Sequence, residues 1–373
     1  MGSKIHLIQF TVKANFKVRL LLPMCMDKQL IECVPNISEG RNQDIINQIV
    51  ASIPQNENCS VLSVEPDADY NRTVITIAGN PDEVYIAAYK LIESAVKLID
   101  MTKHQGEHPR LGVVDVCPFI PLNNYTMAQC SLLAEKLAET VANNLGVSTF
   151  LYGYSAKHAD RKLLSTLRKG QYEGLQNRLS NGETVHNEFT RYPDFGPKQW
   201  CAATEKSGGI TIGSRDILIA YNVNIDETDA VVAKKIGSII RGSGRLIKQE
   251  NGEKMRVRGM VQEIQGMGVT LETHSISQVS MNILDVDKCP IHKAFEICKS
   301  LAKDHAVSLK GSELVGLVPL KSMLESGRWY LGEGNYSEED YVDAAINGLG
   351  LSEIDDFNAH ERIIEWAMAG GEK

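Results

Sequence analysis

The hydrophobic positions of the chain fall into two series of alternating and helical runs that follow the same order. "LIECVPNIS", Leu30 to Ser38, is a short apolar run closed by a capping residue, and Ile45, Ile46, Ile49, Val50 and Ile53 then form one helical stripe that Pro54 stops. "SVLSVEPD" and "RTVITIAG" predict a strand pair. The helix after them opens with Asn80, Pro81, Asp82 and Glu83 as cap, first-turn proline and N3 acid, and carries Val84, Ala88, Leu91, Ala95 and Leu98 on one face. "GVVDVCPFI" predicts a fourth strand, giving the order β-α-β-β-α-β.

The second series begins at "LIAYNVNID", Leu218 to Asp226, which matches the first run at Leu, Ile, Asn and Ile. Val232, Ile236, Ile239 and Ile240 form its helical stripe before Gly242. "MRVRGMVQEIQGMGVTLE" and "SQVSMNILD" predict the strand pair, "CPIHKAFEICKSLAKD" the second helix and "SELVGLVP" the last strand. Repetition of this order predicts an α+β protein of two ferredoxin-like (βαββαβ) subdomains, each an antiparallel sheet with helices on one face, packed with a ligand groove between them. The boundaries expected are 1–25 for an N-terminal extension, 26–213 for the first subdomain, and 214–373 for the second with a helical tail.

Between the series lie a helix in "AQCSLLAEKLAETVANNLG", a strand "STFLYGY", a basic helix "DRKLLSTLRK" and a long loop "SNGETVHNEFTRYPDFGPKQWCAATEKSGG". A loop of that length, punctuated by Gly196, Pro197, Trp200, Gly208 and Gly209, is expected to be an ordered ligand loop.

Composition narrows the function classes. The formal net charge of −8 argues against a nucleic-acid groove or a membrane-surface protein, and no apolar run approaches the ~18 residues of a membrane helix. Eight scattered cysteines without a Cys-x-x-Cys pair suit a reducing, cytoplasmic setting and disfavour structural zinc. Residues 1–25 are basic and free of acids; they read either as a cloning remnant beginning "MGS" or as a targeting segment.

"HQGEHPR" holds the sharpest candidate chemistry. A spacing of four would put His104 and His108 on one face of a zinc-binding helix, but Gly106 lies between them and Pro109 disfavours helix for its predecessor, so no metal is expected. The two are then either solvated loop histidines or a general acid/base, for which an imidazole of pKa ~6.5 is suited. Phosphate-loop, dinucleotide and nucleophile-elbow motifs are missing from the sequence. Glu65, Asp67 and Asp69 read as a strand-end turn, with an orienting role for a cationic or amidine group as the alternative.

Taken together, "ECVPNISEG", "NRTVITIAG", "DMTKHQGEHPRLGVVDVCPFIPL", "YPDFGP", "LIAYNVN", "QVSMNILD", "GSELVGLVPLKSML" and "ERIIEW" resemble the formiminotransferase-domain family in order from Leu30 to Trp366. The resemblance implies transfer of a formimidoyl group from N-formimidoyl-L-glutamate to N5 of tetrahydrofolate as co-substrate, as in histidine degradation, without a metal. It implies that the histidine between Glu and Pro, His108, is catalytic. It also implies folate contacts in the loop after "DFGP": Gly196, Pro197, Lys198, Gln199 and Trp200, then Gly208 and Gly209. Both substrates carry carboxylates, so Arg72, Arg110, Lys198, Lys206 and Arg215 are candidate clamps, with Glu65 a candidate for orienting the amidine.

Two departures from the family pattern stand out: "KQWCAATEKSGG" is a few residues longer than in vertebrate members, and Glu65 stands where an aspartate is expected. Bifunctional members carry a helical cyclodeaminase domain after the transferase, so a separate cyclodeaminase partner or a shortened form is expected here. A homodimer is the expectation from base rates. Formyl transfer between 5-formyltetrahydrofolate and glutamate, and a non-catalytic folate-binding protein, are the alternative readings.

Overall fold

The computed structural model describes residues 29–369 except 69, 107–108, 181, 251 and 272–273. The first half is built from β1 (Leu30–Cys33), β2 (Asn36–Ile37), α1 (Gln43–Ala51), β3 (Cys59–Asp67), β4 (Arg72–Gly79), α2 (Pro81–Leu98), β5 (Val114–Asn123), α3 (Met127–Leu145) and β6 (Ser148–Gly153). Four short helices, α4 (Leu164–Leu167), α5 (Leu175–Leu179), α6 (Glu188–Arg191) and α7 (Ala202–Ser207), lead to β7 (Gly209–Ser214). The second half contains β8 (Ile219–Ile225), α8 (Val231–Ile240), β9 (Arg245–Lys248), β10 (Lys254–Val257), β11 (Ile264–Leu271), β12 (Ile276–Ile283), α9 (Ile291–Asp304) and β13 (Leu309–Val315). A helical tail follows: α10 (Leu320–Leu331), α11 (Glu338–Leu349), α12 (Ala359–Arg362) and α13 (Ile364–Met368).

The chain is α+β with two sheets, each over its own helix-covered core. In the first, α1, α2 and α3 bury Ile49, Val84, Ala88, Leu91, Leu137 and Val141 against Ile31, Ile37, Ile75, Ile77 and Phe119. In the second, α8 and α9 bury Ala233, Ile236, Ile240, Ala294 and Cys298 against Tyr221, Val223, Ile225, Val279 and Met281. The alternation read in the sequence places those residues inward and leaves the intervening ones on the opposite face. Sheet order in the second half is β11-β12-β8-β13, all antiparallel. The first half repeats it as β3-β4-β1/β2-β5, its opening strand interrupted between Cys33 and Asn36 by Val34 and Pro35.

Three elements differ from expectation. First, "GITIGS" is a strand, and β7 and β6 extend the first sheet in parallel beyond β5. Parallel neighbours need a long crossover, which explains why the sequence between Tyr154 and Gly208 reads as an outsized loop. Second, the basic segment Asp160–Lys169 is not one helix: it comprises a 3₁₀ turn at Ala159–Arg161 and the four-residue α4. Arg161 and Arg168 turn inward to bind Asp194 and Asp115. Third, "MRV" belongs not to the strand before the turn but to a separate exposed hairpin of β9 and β10.

Among the described residues no helix is long and apolar enough to cross a membrane. The halves meet where α13 packs on β3 and β4. A cavity of about 270 Å³ lies beside that junction, lined by Pro121, Asp216, Asp285, Asp287, Lys321 and Glu365 among others.

Candidate functional site

His108, the leading candidate, lies outside the described residues, as does Asp69. The chain on either side of His108 is placed, and its hydrogen bonds show how the segment is held. His104 Nε2 lies 2.9 Å from the carbonyl of Asn71, and its Nδ1 lies 3.1 Å from Arg110 Nε. Asn71 Nδ2 donates to Gln105 O at 2.8 Å, while its Oδ1 accepts from Gly40 N at 3.0 Å. Asn71 sits at φ 49°, a left-handed conformation asparagine tolerates, so the β3–β4 turn presents both its carbonyl and its amide to the loop. A Cβ on Gly106 would collide with the carbonyl of Tyr70, so this loop and turn touch backbone to backbone.

Arg110 forks onto Glu173, with Nη2 2.6 Å from Oε1 and Nη1 3.0 Å from Oε2. Burial alone would raise the Glu173 carboxyl, but the guanidinium outweighs it and holds the group below the usual carboxylate range. Burial, aided by the Arg110 charge, pushes His104 below an ordinary histidine despite the Asn71 carbonyl. Both ring nitrogens of His104 are thus engaged and the ring is held neutral.

Beneath the loop, buried Asp115 accepts Leu111 N at 3.0 Å and Arg168 Nε at 3.1 Å. Burial raises its carboxyl, opposed by Arg168 and then by Arg72.

The other sequence candidates divide into separate places. Arg72 and Arg110 line a small cleft with Asn36, Ser38, Asn71 and Asp115. Trp200 tilts against Tyr172 with ring centroids 6.2 Å apart, and Tyr172 N donates to Arg110 O. Lys206 donates to Lys97 O from α7, which packs on Met101–Lys103 at the foot of the loop. A Cβ on Gly208 would strike Leu111 O and Gly112, and one on Gly209 the Phe150 ring, so close packing demands these two glycines. Gly196 and Pro197 lie instead by Val147 and Ser148, whose hydroxyl donates to Pro197 O at 2.7 Å; Lys198 and Gln199 are exposed.

Arg215 stands apart at the other end of β7, ~20 Å along the strand from Gly209, where Nη1 donates to Asp216 O. Its charge there opposes the burial that pushes Glu32 up to about 7, and nearby Glu365 adds to the rise. Glu65 lies on β3, paired with Val74, and approaches the loop after β13 at Gly316.

One polar cluster escaped the sequence reading. On the face of the second sheet away from its helices, Gln278 Nε2 donates to Asn224 Oδ1 at 2.7 Å and to Glu313 Oε2 at 3.2 Å, and Asn222 Nδ2 reaches Glu313 at 3.4 Å. Asn224 and Gln278 are buried and in register on adjacent strands. The alternating asparagines of "YNVN" are the signal that marks this face.

Fold and site together define an α+β protein of two like units with a polar, histidine-bearing loop fixed on the first. The chain belongs to the formiminotransferase family: the model of the formiminotransferase domain N-terminal subdomain matches residues 30–215, and that of the formiminotransferase domain matches 220–369. It is 34% identical to glutamate formimidoyltransferase of Streptococcus pyogenes serotype M1, over 92% of this chain and 99% of that one. A glutamate formimidoyltransferase of Thermoplasma acidophilum is 36% identical over 85% of this chain and 98% of its own. The formimidoyltransferase-cyclodeaminase of Gallus gallus is 37% identical over 92% of this chain, which spans 61% of that longer protein.

Proposed function

We propose that this protein transfers the formimidoyl group from N-formimidoyl-L-glutamate to N5 of tetrahydrofolate, releasing L-glutamate, with His108 as general acid/base. The observation that carries the assignment of roles is the engagement of both nitrogens of His104, which leaves proton transfer to the other imidazole of the segment. The relatives named glutamate formimidoyltransferase, matched over almost their whole length, support the reaction class.

N5 attacks the amidine carbon and a new C–N bond forms. His108 takes the N5 proton and returns it to the glutamate nitrogen as the old C–N bond breaks. Such a base contributes ~10²–10⁴ in rate, and the remainder comes from holding the two substrates together. The step as written uses no metal.

In this reading both units are ferredoxin-like and the substrates lie in a groove between their open faces. Asn222, Asn224, Gln278 and Glu313 offer the donors and acceptors that a pterin or amidine edge requires. Arg72 and Lys206 are the carboxylate clamps nearest the loop, and Glu65 orients the amidine. Trp200, Gly208 and Gly209 form the folate side. The protein acts in the cytoplasm as a homodimer, and a cyclodeaminase activity, separate or fused, consumes its product.

The test is glutamate release by the purified protein from formimidoylglutamate and from formylglutamate, each with tetrahydrofolate. Turnover with the formimidoyl donor is expected; turnover with formylglutamate alone would identify a formyltransferase. If neither donor reacts while tetrahydrofolate binds, the protein is a folate-binding module.

A further inference from the structure

A second cavity lies beside the carboxyl ends of β6 and β7 and the start of α3, at the end of β7 opposite Gly209. Strands β5, β7 and β6 run parallel with β7 in the middle, and α3 carries the chain from β5 back to β6. Ligands of parallel sheets sit in the crevice beyond such strand ends. Here the crevice holds about 600 Å³, a volume typical of small-molecule sites, and is lined by Ala128, Ser131, Leu132, Tyr154 and Ser155 among others.

Three linked hydroxyls form its polar wall. Ser214 Oγ, fully buried, lies 2.6 Å from Ser131 Oγ and 3.0 Å from Ser155 Oγ. Gly153, at φ 65° against the Ser214 carbonyl, turns the chain at the end of β6 so that Ser155, only 7% exposed, comes back onto Ser214. Three hydroxyls carry three protons, and their two mutual bonds use two. Leaving the third on buried Ser214 would strand a donor away from water, so it sits on Ser131 or Ser155, both at the cavity. Among the described residues no other acceptor takes it. At the rim the charges cancel, with Lys157 Nζ 2.6 Å from Glu135 Oε2. The Tyr154 hydroxyl is engaged by Asp216 at 2.7 Å, which leaves its ring and Leu132, 58% and 67% exposed, as apolar wall.

We propose that this cavity binds an uncharged small molecule whose apolar body rests on Leu132 and Tyr154 and whose carbonyl accepts the free serine proton, an aromatic amide being the simplest case. A surplus donor between apolar walls selects a single acceptor on an apolar frame, and the cancelled rim charges select against an ion. The site does not rest on the transfer reaction.

Benzamide is the probe. Titrated into the full chain and followed by ligand-observed NMR, it should saturate one site with a Kd of about 1 mM. Toluene, which keeps the ring but has no acceptor, and benzoate, which adds a charge, should each bind at least about fivefold more weakly. Joint replacement Ser131→Ala and Ser155→Ala should weaken benzamide about tenfold and leave toluene unchanged. Ala128→Trp, at an exposed position on α3, should abolish binding of both by filling the space. Absence of saturation up to about 20 mM, roughly twentyfold above the expected Kd, would overturn the proposal. So would an affinity for benzamide that neither the serine pair nor Ala128→Trp alters. A wild-type dimer that Leu132→Asp converts to monomer would also overturn it, since the surface would then be a contact between copies.

Discussion

Asp115 and Arg168 form a buried ion pair under the histidine loop, with Arg168 Nε 3.1 Å from Asp115 Oδ1 and a second bond from Nη2 to Oδ2. Asp115 is 2% exposed and also accepts Leu111 N, so it joins the loop end to the crossover segment. Asp115→Asn would leave the guanidinium buried without its countercharge. We expect a loss of about 3–5 kcal/mol in chemical denaturation. A loss below about 1 kcal/mol would show that the pair is not a determinant of the loop.

Gly208 has φ 66° and no room for a Cβ, whereas Gly252 has φ 85° and open space around it. Gly208→Ala should therefore cost about 3 kcal/mol or more, combining left-handed strain with displacement of Leu111, while Gly252→Ala should cost only about 1 kcal/mol. Thermal melts of the two variants side by side check this. Equal costs would mean that backbone conformation alone sets the requirement, and that the approach to Gly112 is loose.

Glu32 sets a pH dependence at the junction of the halves. Burial pushes its carboxyl from 4.5 up to about 7, so below pH 4.5 it is protonated in both folded and unfolded chains. Between those values the unfolded chain ionises while the folded one does not, and stability falls as pH rises. The loss approaches 3 kcal/mol as an order of magnitude. Glu32→Gln should flatten this slope and exceed wild type in stability at pH 8. A wild type whose stability rises steadily from pH 5 to 8 in step with the variant would contradict the assignment.

The amide cluster separates binding from folding. Replacing Asn224 and Gln278 together by leucine removes a donor and its acceptor at once, so stability should change by less than about 1 kcal/mol. The KM for one substrate should nevertheless rise about tenfold, or about 1.4 kcal/mol. Unchanged KM values would remove this face from the substrate site.

Residues with strong periodicity were the legible part of the fold. Helix α2 begins after its Asn80 cap with Pro81 at its first position, as its sequence signals, and the strands from Cys59 to Gly79 follow the alternation of "SVLSVEPD" and "RTVITIAG". What stayed hidden depends on distant partners. β7 is a six-residue strand opening on Gly209 that pairs with β5 and β6, and the inward pairs of Arg161 with Asp194 and Arg168 with Asp115 join residues far apart in the chain. The sequence singles out "HQGEHPR" as the candidate segment, but the bonds of the His104 ring to Asn71 and to Arg110, six residues along, are visible only in the fold. The close packing that Gly208 and Gly209 make against Leu111, Gly112 and Phe150 is likewise visible only in the fold.

Steady-state turnover of formimidoylglutamate with tetrahydrofolate by His108→Ala, measured beside wild type, is the most direct test of the central claim. The account predicts a fall in kcat of ~10²–10⁴ with tetrahydrofolate affinity retained. A variant that turns over at a rate near wild type would contradict it.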